Sequence, residues 1–167
     1  MNRRNLPERR SPRLRGHDYS EQRIYFLTVC TANRKNIFDN NAFASTALKT
    51  ILESAGDSSV DLHCICIMPN HIHLALEPGG GVSVDKFIGI VKGKISLFIS
   101  EMGHKGAVWQ ASFFDHILRP WEDPLDSIRY ILENPVRKGL VTRFTRYEWS
   151  WDKCGFCDSD ERRKQIR

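Results

Sequence analysis

The stretch MPNHIHLAL, residues 68–76, sets two histidines either side of one isoleucine inside an apolar run. In a strand, successive side chains point to opposite faces. His71 and His73 then share one face with Ala75, and Ile72, Leu74 and Leu76 share the other. Two strand steps separate the histidine Cα atoms by about 6.6–7 Å, close enough for both imidazoles to lean toward one cation. The competing reading is a polar pair on a solvated sheet face. A second group lies in SIRYILENPVRKGL, residues 127–140. Residues four apart on a helix share a face, which joins Tyr130 to Asn134. A phenol ionises near pH ~10 and becomes a nucleophile only when activated. An Asn amide offers a hard oxygen. Imidazole and oxygen donors together suit Mn²⁺ or, less ideally, Mg²⁺, rather than a closed structural zinc site. Taken singly, Tyr130 also reads as a boundary tyrosine and Asn134 as a helix-end residue before Pro135.

The elements that must position these groups follow from periodicity. IYFLTVCTA (24–32) reads as a strand. Asn40 or Asn41 caps a helix running to about Ala55, with Gly56 just past its end. VDLHCICIM (60–68) and HIHLALE (71–77) form an antiparallel hairpin across Pro69-Asn70. Val84, Phe87, Ile88, Val91, Ile95, Phe98, Ile99 and Met102 define one long amphipathic helix over 83–102, stopped by Gly103. FFDHILR (113–119) is a fourth strand, placed next to the histidine strand, with His116 near the site and Asp115 on the opposite face. Asp123-Pro124 starts a last helix that runs to about Asn134. The order β-α-β-β-α-β-α predicts an α+β, ferredoxin-like sandwich: an antiparallel sheet with helices on one face, plus an added C-terminal helix.

The chain has 167 residues and a formal net charge of +5. Six arginines, Arg3, Arg4, Arg9, Arg10, Arg13 and Arg15, face one acid, Glu8, in the first 17 residues, so the remainder is near neutral. An Arg-rich arm ahead of a neutral domain suits a polyanion such as nucleic acid, or else is a solvated tail. The expected organisation is a flexible arm over 1–17, one domain over 18–152 and a loose tail over 153–167. No apolar run is long enough for a bilayer span, and the first residues lack a signal-like apolar core, so the expectation is a cytoplasmic protein without membrane contact. Five cysteines do not make a disulfide framework, and Cys154 and Cys157 form a lone CxxC without further ligands.

Four segments in this order carry a resemblance: MPNHIHLAL, VWQASFFDHILR, YILENPVRKGLV and YEWSW. Over about Tyr19 to Trp151 the chain resembles the single-tyrosine HUH transposases, most closely the REP-associated tyrosine transposases. The resemblance implies metal-dependent cleavage of single-stranded DNA, with recognition of short palindromes through their folded shape. It implies His71, His73 and Asn134 as ligands of Mg²⁺ or Mn²⁺ and Tyr130 as the nucleophile, through a 5′-phosphotyrosine intermediate. It implies a single-stranded or hairpin DNA partner and a monomer or homodimer.

Basic groups that suit DNA phosphates are Arg13, Arg15, Arg119, Arg137 and Lys138, with Lys86, Lys92, Lys94 and Lys105 along or after the long helix. His116 suits a supporting position beside the metal or substrate. Trp109, Trp121, Trp149 and Trp151 suit base stacking or the core. A non-catalytic single-stranded nucleic-acid-binding module is the alternative, since ferredoxin-like sheets also host RNA recognition. An HxH hydrolase using water is another; it would not need Tyr130.

Overall fold

The computed structural model describes residues 16–157; Arg13 and Arg15 lie outside them. The strands are β1 (Tyr25–Cys30), β2 (Asp61–Met68), β3 (His71–Glu77), β4 (Phe114–Ile117) and β5 (Ser150–Asp152). The helices are α1 (Asn41–Asp57), α2 (Val84–Glu101), α3 (Pro124–Leu132) and a single turn α4 (Asn134–Arg137). One sheet has the order β4-β1-β3-β2-β5, and every neighbouring pair is antiparallel. The first four strands and two helices make the expected ferredoxin-like α+β sandwich, and β5 extends the β2 edge.

β3 is central, and its alternation divides the molecule. Ile72, Leu74 and Leu76 are buried toward α1 and α2, with Tyr25, Leu27 and Val29 of β1 and Ile65 and Ile67 of β2. α2 contributes Phe87, Ile88, Val91, Ile95 and Ile99 to that layer. The opposite face carries a smaller apolar cluster. There Cys64, Cys66, Met68 and Ala75 of the sheet meet Ile128, Ile131 and Leu132 of α3. The added helix therefore covers the sheet face away from α1 and α2. The α2 lysines consequently sit on the far side from the histidines; Lys92 donates to Gln110 O and Lys94 pairs with Asp57 at 3.6 Å.

Several boundaries move. Asn40 caps α1 with its side-chain oxygen accepting from Ala42 N at 2.9 Å, but α1 continues through Gly56 to Asp57. Gly103 stops α2 as expected, at φ +96°, a conformation glycine adopts without Cβ strain. β4 neighbours β1, not β3; sequence alone did not fix that pairing. Packing also continues past 152: the Asp152 carboxylate accepts from Phe156 N and Cys157 N, and Cys157 is buried. The expected tail thus begins with five residues folded onto the domain, and residues 158–167 lie outside the described part.

Tyr147, on the α3 side, donates its hydroxyl to Ile67 O at 2.7 Å in a buried bond. Replacing Tyr147 by Phe leaves a buried carbonyl without that donor, so urea unfolding is expected to show a loss of about 1 kcal/mol. An unchanged midpoint would contradict this role.

Candidate active site

β1 and β3 place the imidazoles. In the ladder, His73 lies opposite Thr28 and His71 opposite Cys30. The Nε2 atoms of His71 and His73 converge to 3.0 Å, with ring centroids 4.6 Å apart and planes at 88°. Each outer nitrogen is held. His71 Nδ1 meets Asn70 Oδ1 at 2.6 Å, and His73 Nδ1 meets Thr28 Oγ1 at 3.0 Å. An amide oxygen only accepts, so His71 carries its proton on Nδ1 and turns the Nε2 lone pair inward. With Thr28 accepting, His73 does the same, and two lone pairs then face one point.

Charge state agrees with a ligand role. Burial first, then Arg34 and Lys138, lowers His71 from the ordinary imidazole value to about 4. Burial first, then His71 and Arg137, lowers His73 to about 3. Both rings are neutral at neutral pH, as metal ligation requires.

α3 supplies the other side. Asp123 caps it by accepting from Leu125 N at 2.8 Å, with Pro124 in its first turn. The helix ends at Leu132, two residues short of the expected Asn134, which instead opens α4. Pro135 explains this. It has no N–H to offer the Ile131 carbonyl four residues back. The Asn134 side-chain Nδ2 fills that role, donating to Ile131 O at 2.9 Å and Tyr130 O at 3.3 Å. Its amide nitrogen is thereby committed to the backbone, and Oδ1 is the end left to take a cation.

Tyr130 projects outward, 64% exposed. The Arg137 guanidinium carbon stacks 3.9 Å from its ring centroid. Arg137 also donates to Tyr130 O and pairs with Glu133 at 3.7 Å. So Arg137 touches the tyrosine directly, a contact that residue spacing does not signal. Tyr130, Asn134, His73, Thr28, Phe114 and His116 all border one cavity of about 440 Å³ within a single chain. His116 reaches it from β4 with β1 intervening, and its Nε2 pairs with Glu122 at 2.9 Å. Arg119 lies over Trp121. Cys154 is exposed and Cys157 buried, and neither forms a disulfide.

The donor set fits a divalent cation. Among the described residues no three His, Cys, Asp or Glu side chains cluster as metal ligands. Any ion here would therefore take the His71 and His73 nitrogens plus amide oxygen, water or substrate phosphate. Two cis ligands of an octahedral ion at about 2.1 Å lie about 3 Å apart, which matches the 3.0 Å Nε2 separation. Asn70 and Thr28, which orient the rings, were not anticipated. Their signals were present but ordinary: an Asn directly before the first His, and a hydroxyl on the neighbouring strand.

Residues 19–133 match the family described as Transposase IS200 like. The chain belongs to the IS200-like transposase family. The transposase is 24% identical over 164 residues to an uncharacterized protein of Haemophilus influenzae, covering 78% of this chain and 90% of that one. It is 26% identical over 138 residues to a provisionally named REP-associated tyrosine transposase of the same organism, covering 74% and 76%. In fold it resembles a REP-associated tyrosine transposase solved with a REP hairpin: TM-score 0.68, 19% identity, 83% of this chain and 81% of that chain. It also resembles a provisionally named transposase of Deinococcus radiodurans R1: TM-score 0.51, 20% identity, 73% and 95% coverage. Among the described residues no helix is long and apolar enough to cross a membrane.

The depressed histidine values carry a sign. Below pH ~6.5 the unfolded chain takes up imidazole protons that the folded chain refuses, so stability falls as pH drops toward 4. The metal-free protein should lose melting temperature over that window more steeply than a His71→Asn/His73→Asn variant. Parallel melting curves against pH for the two proteins would contradict it.

Proposed function

We propose that the transposase nicks and joins single-stranded DNA that folds into hairpins, with Tyr130 as nucleophile and a 5′-phosphotyrosine intermediate. The observation that carries this is the exposed Tyr130 opening onto the same cavity as His73 and Asn134 in one chain. The relative solved with a REP hairpin supports a hairpin substrate.

His71, His73 and Asn134 would hold Mg²⁺ or Mn²⁺, which supplies Lewis-acid polarisation of the scissile phosphate. The protein's own groups do the rest. Thr28 and Asn70 fix the ring orientations, as outer partners of metal-binding histidines do. Tyr130 Oη attacks phosphorus: an O–P bond forms, the P–O3′ bond breaks, and the 3′ oxygen leaves and takes a proton. The phenolic proton goes to solvent. Attack by a second 3′-OH reverses these changes and reseals the strand without ATP, because the ester energy is retained. Arg137, stacked on Tyr130, holds the ring against the α3 end. Lys138 and Arg119 offer charge to phosphates, with Arg13 and Arg15 adding sequence-independent attraction. The four central residues come from one chain, so the chemistry as read needs no second copy; a monomer or a homodimer accommodates it.

Incubation with an end-labelled hairpin and Mn²⁺ or Mg²⁺, followed by denaturing electrophoresis, should give a covalent adduct. Tyr130→Phe should abolish it while retaining hairpin affinity. A nicked product without any adduct in the wild type would point to water as nucleophile and overturn the reading.

Calorimetric titration with Mn²⁺ should show one site in the wild type. His73→Ala should weaken it at least about tenfold, and Thr28→Val by about tenfold through the lost outer contact. Equal Mn²⁺ affinity in all three proteins would remove the metal site. Replacing Arg13 and Arg15 by Ala should flatten the salt dependence of binding, the log–log slope falling by about 1.4–1.8.

A further inference from the structure

Trp121 stands apart from the other tryptophans. Trp109, Trp149 and Trp151 pack partly buried against the core, whereas Trp121 is 76% exposed. It sits on a turn that is fixed rather than loose. The Glu122 carboxylate accepts from Arg119 N at 2.7 Å and meets His116 Nε2 at 2.9 Å, and Glu122 N donates to Arg119 O at 3.0 Å. The Arg119 guanidinium carbon lies 5.6 Å from the Trp121 ring centroid.

This turn borders a second cavity of about 430 Å³, lined by His17, Arg23, His116 and Arg119 among others. Asp115 and His116 line both cavities, so the two adjoin along β4. Phe114, 46% exposed, lies on the Tyr130 side of the junction. At the far end, His17 is the second described residue, and the fifteen before Gly16 contain six arginines and one acid. Acids along the way have partners within the chain. Glu21 pairs with Arg23 at 3.0 Å, Asp115 accepts from the Tyr19 hydroxyl at 2.6 Å, and Glu122 is held as above.

An exposed indole under a guanidinium matches one ligand chemistry: a flat base on the ring with its phosphate at the arginine. Paired bases bury their faces in the duplex stack, so the ligand is unpaired. We propose that Trp121 and Arg119 form a stacking subsite for the unpaired nucleotides adjoining the hairpin, leading along β4 to Tyr130. The location rests on the nucleophile assignment above; the binding does not.

The test uses the full chain in a Tyr130→Phe background, so that binding is read without chemistry. Anisotropy at fixed salt compares a blunt hairpin with the same hairpin carrying unpaired extensions on both sides. Trp121→Ala should weaken binding of the extended hairpin about fivefold or more and leave the blunt hairpin within about twofold. Trp121→Tyr should restore most of the difference, and Arg119→Ala should mimic Trp121→Ala. Equal weakening of both DNAs, or of neither, overturns the subsite; the second outcome would leave Trp121 for a protein partner. Adduct formation by the Tyr130-containing wild type is scored separately. Selective loss without any wild-type adduct would keep the subsite and discard the phosphotyrosine chemistry, and the reverse pattern would do the opposite.

Discussion

The period of two along β3 is the constraint on which the molecule depends. One face must be apolar to seal α1 and α2 onto the sheet, and Ile72, Leu74 and Leu76 do so. That burial fixes the register, because a slip of one residue would drive both histidines into the core. The imidazoles are thus presented by the packing of the opposite face. Pairing of β3 on both sides, with β1 and β2, keeps their backbone from shifting. Side chains presented from a central strand are more exactly placed than side chains on a loop.

The second constraint is a single missing donor. Pro135 cannot hydrogen-bond to Ile131 O, so α3 stops and Asn134 caps it through Nδ2. The same break brings Arg137 back onto Tyr130, where it stacks on the ring and reaches the Tyr130 carbonyl. One proline therefore organises Tyr130, the Arg137 guanidinium stacked on it and the Asn134 amide beside them. Beneath them, Ile128, Ile131 and Leu132 anchor α3 to Cys64, Cys66 and Ala75. The small side chains of Cys64, Cys66 and Ala75 on that sheet face let the helix lie close.

Local periodicity made much of this legible. The histidine face, the hairpin at Pro69-Asn70, the two long helices and the Asp123-Pro124 helix start all follow from signals within a few residues. What escaped depended on long-range pairing. β4 joins β1 rather than β3 because strand order is settled by the whole sheet, so His116 reaches the cavity from one strand further away. Arg137 carries the same composition signal as any surface arginine, and only the turn after Pro135 reveals its place on Tyr130. The α2 lysines suit phosphates by composition alone, and the fold sets α2 on the sheet face opposite the histidines. Helical spacing puts Asn134 on one face with Tyr130; the helix break leaves them neighbours, but by a side-chain cap rather than by helical continuity.

The proposed storage of a strand break as a tyrosyl ester requires one hydroxyl that carries the DNA, and peptide mapping identifies it. Tryptic cleavage after Arg129 and Arg137 releases YILENPVR, residues 130–137, which contains Tyr130 and no serine or threonine. After reaction with a hairpin substrate and nuclease trimming, mass spectrometry should find a phosphonucleotide on this peptide alone. The same mass on any other peptide would contradict the account.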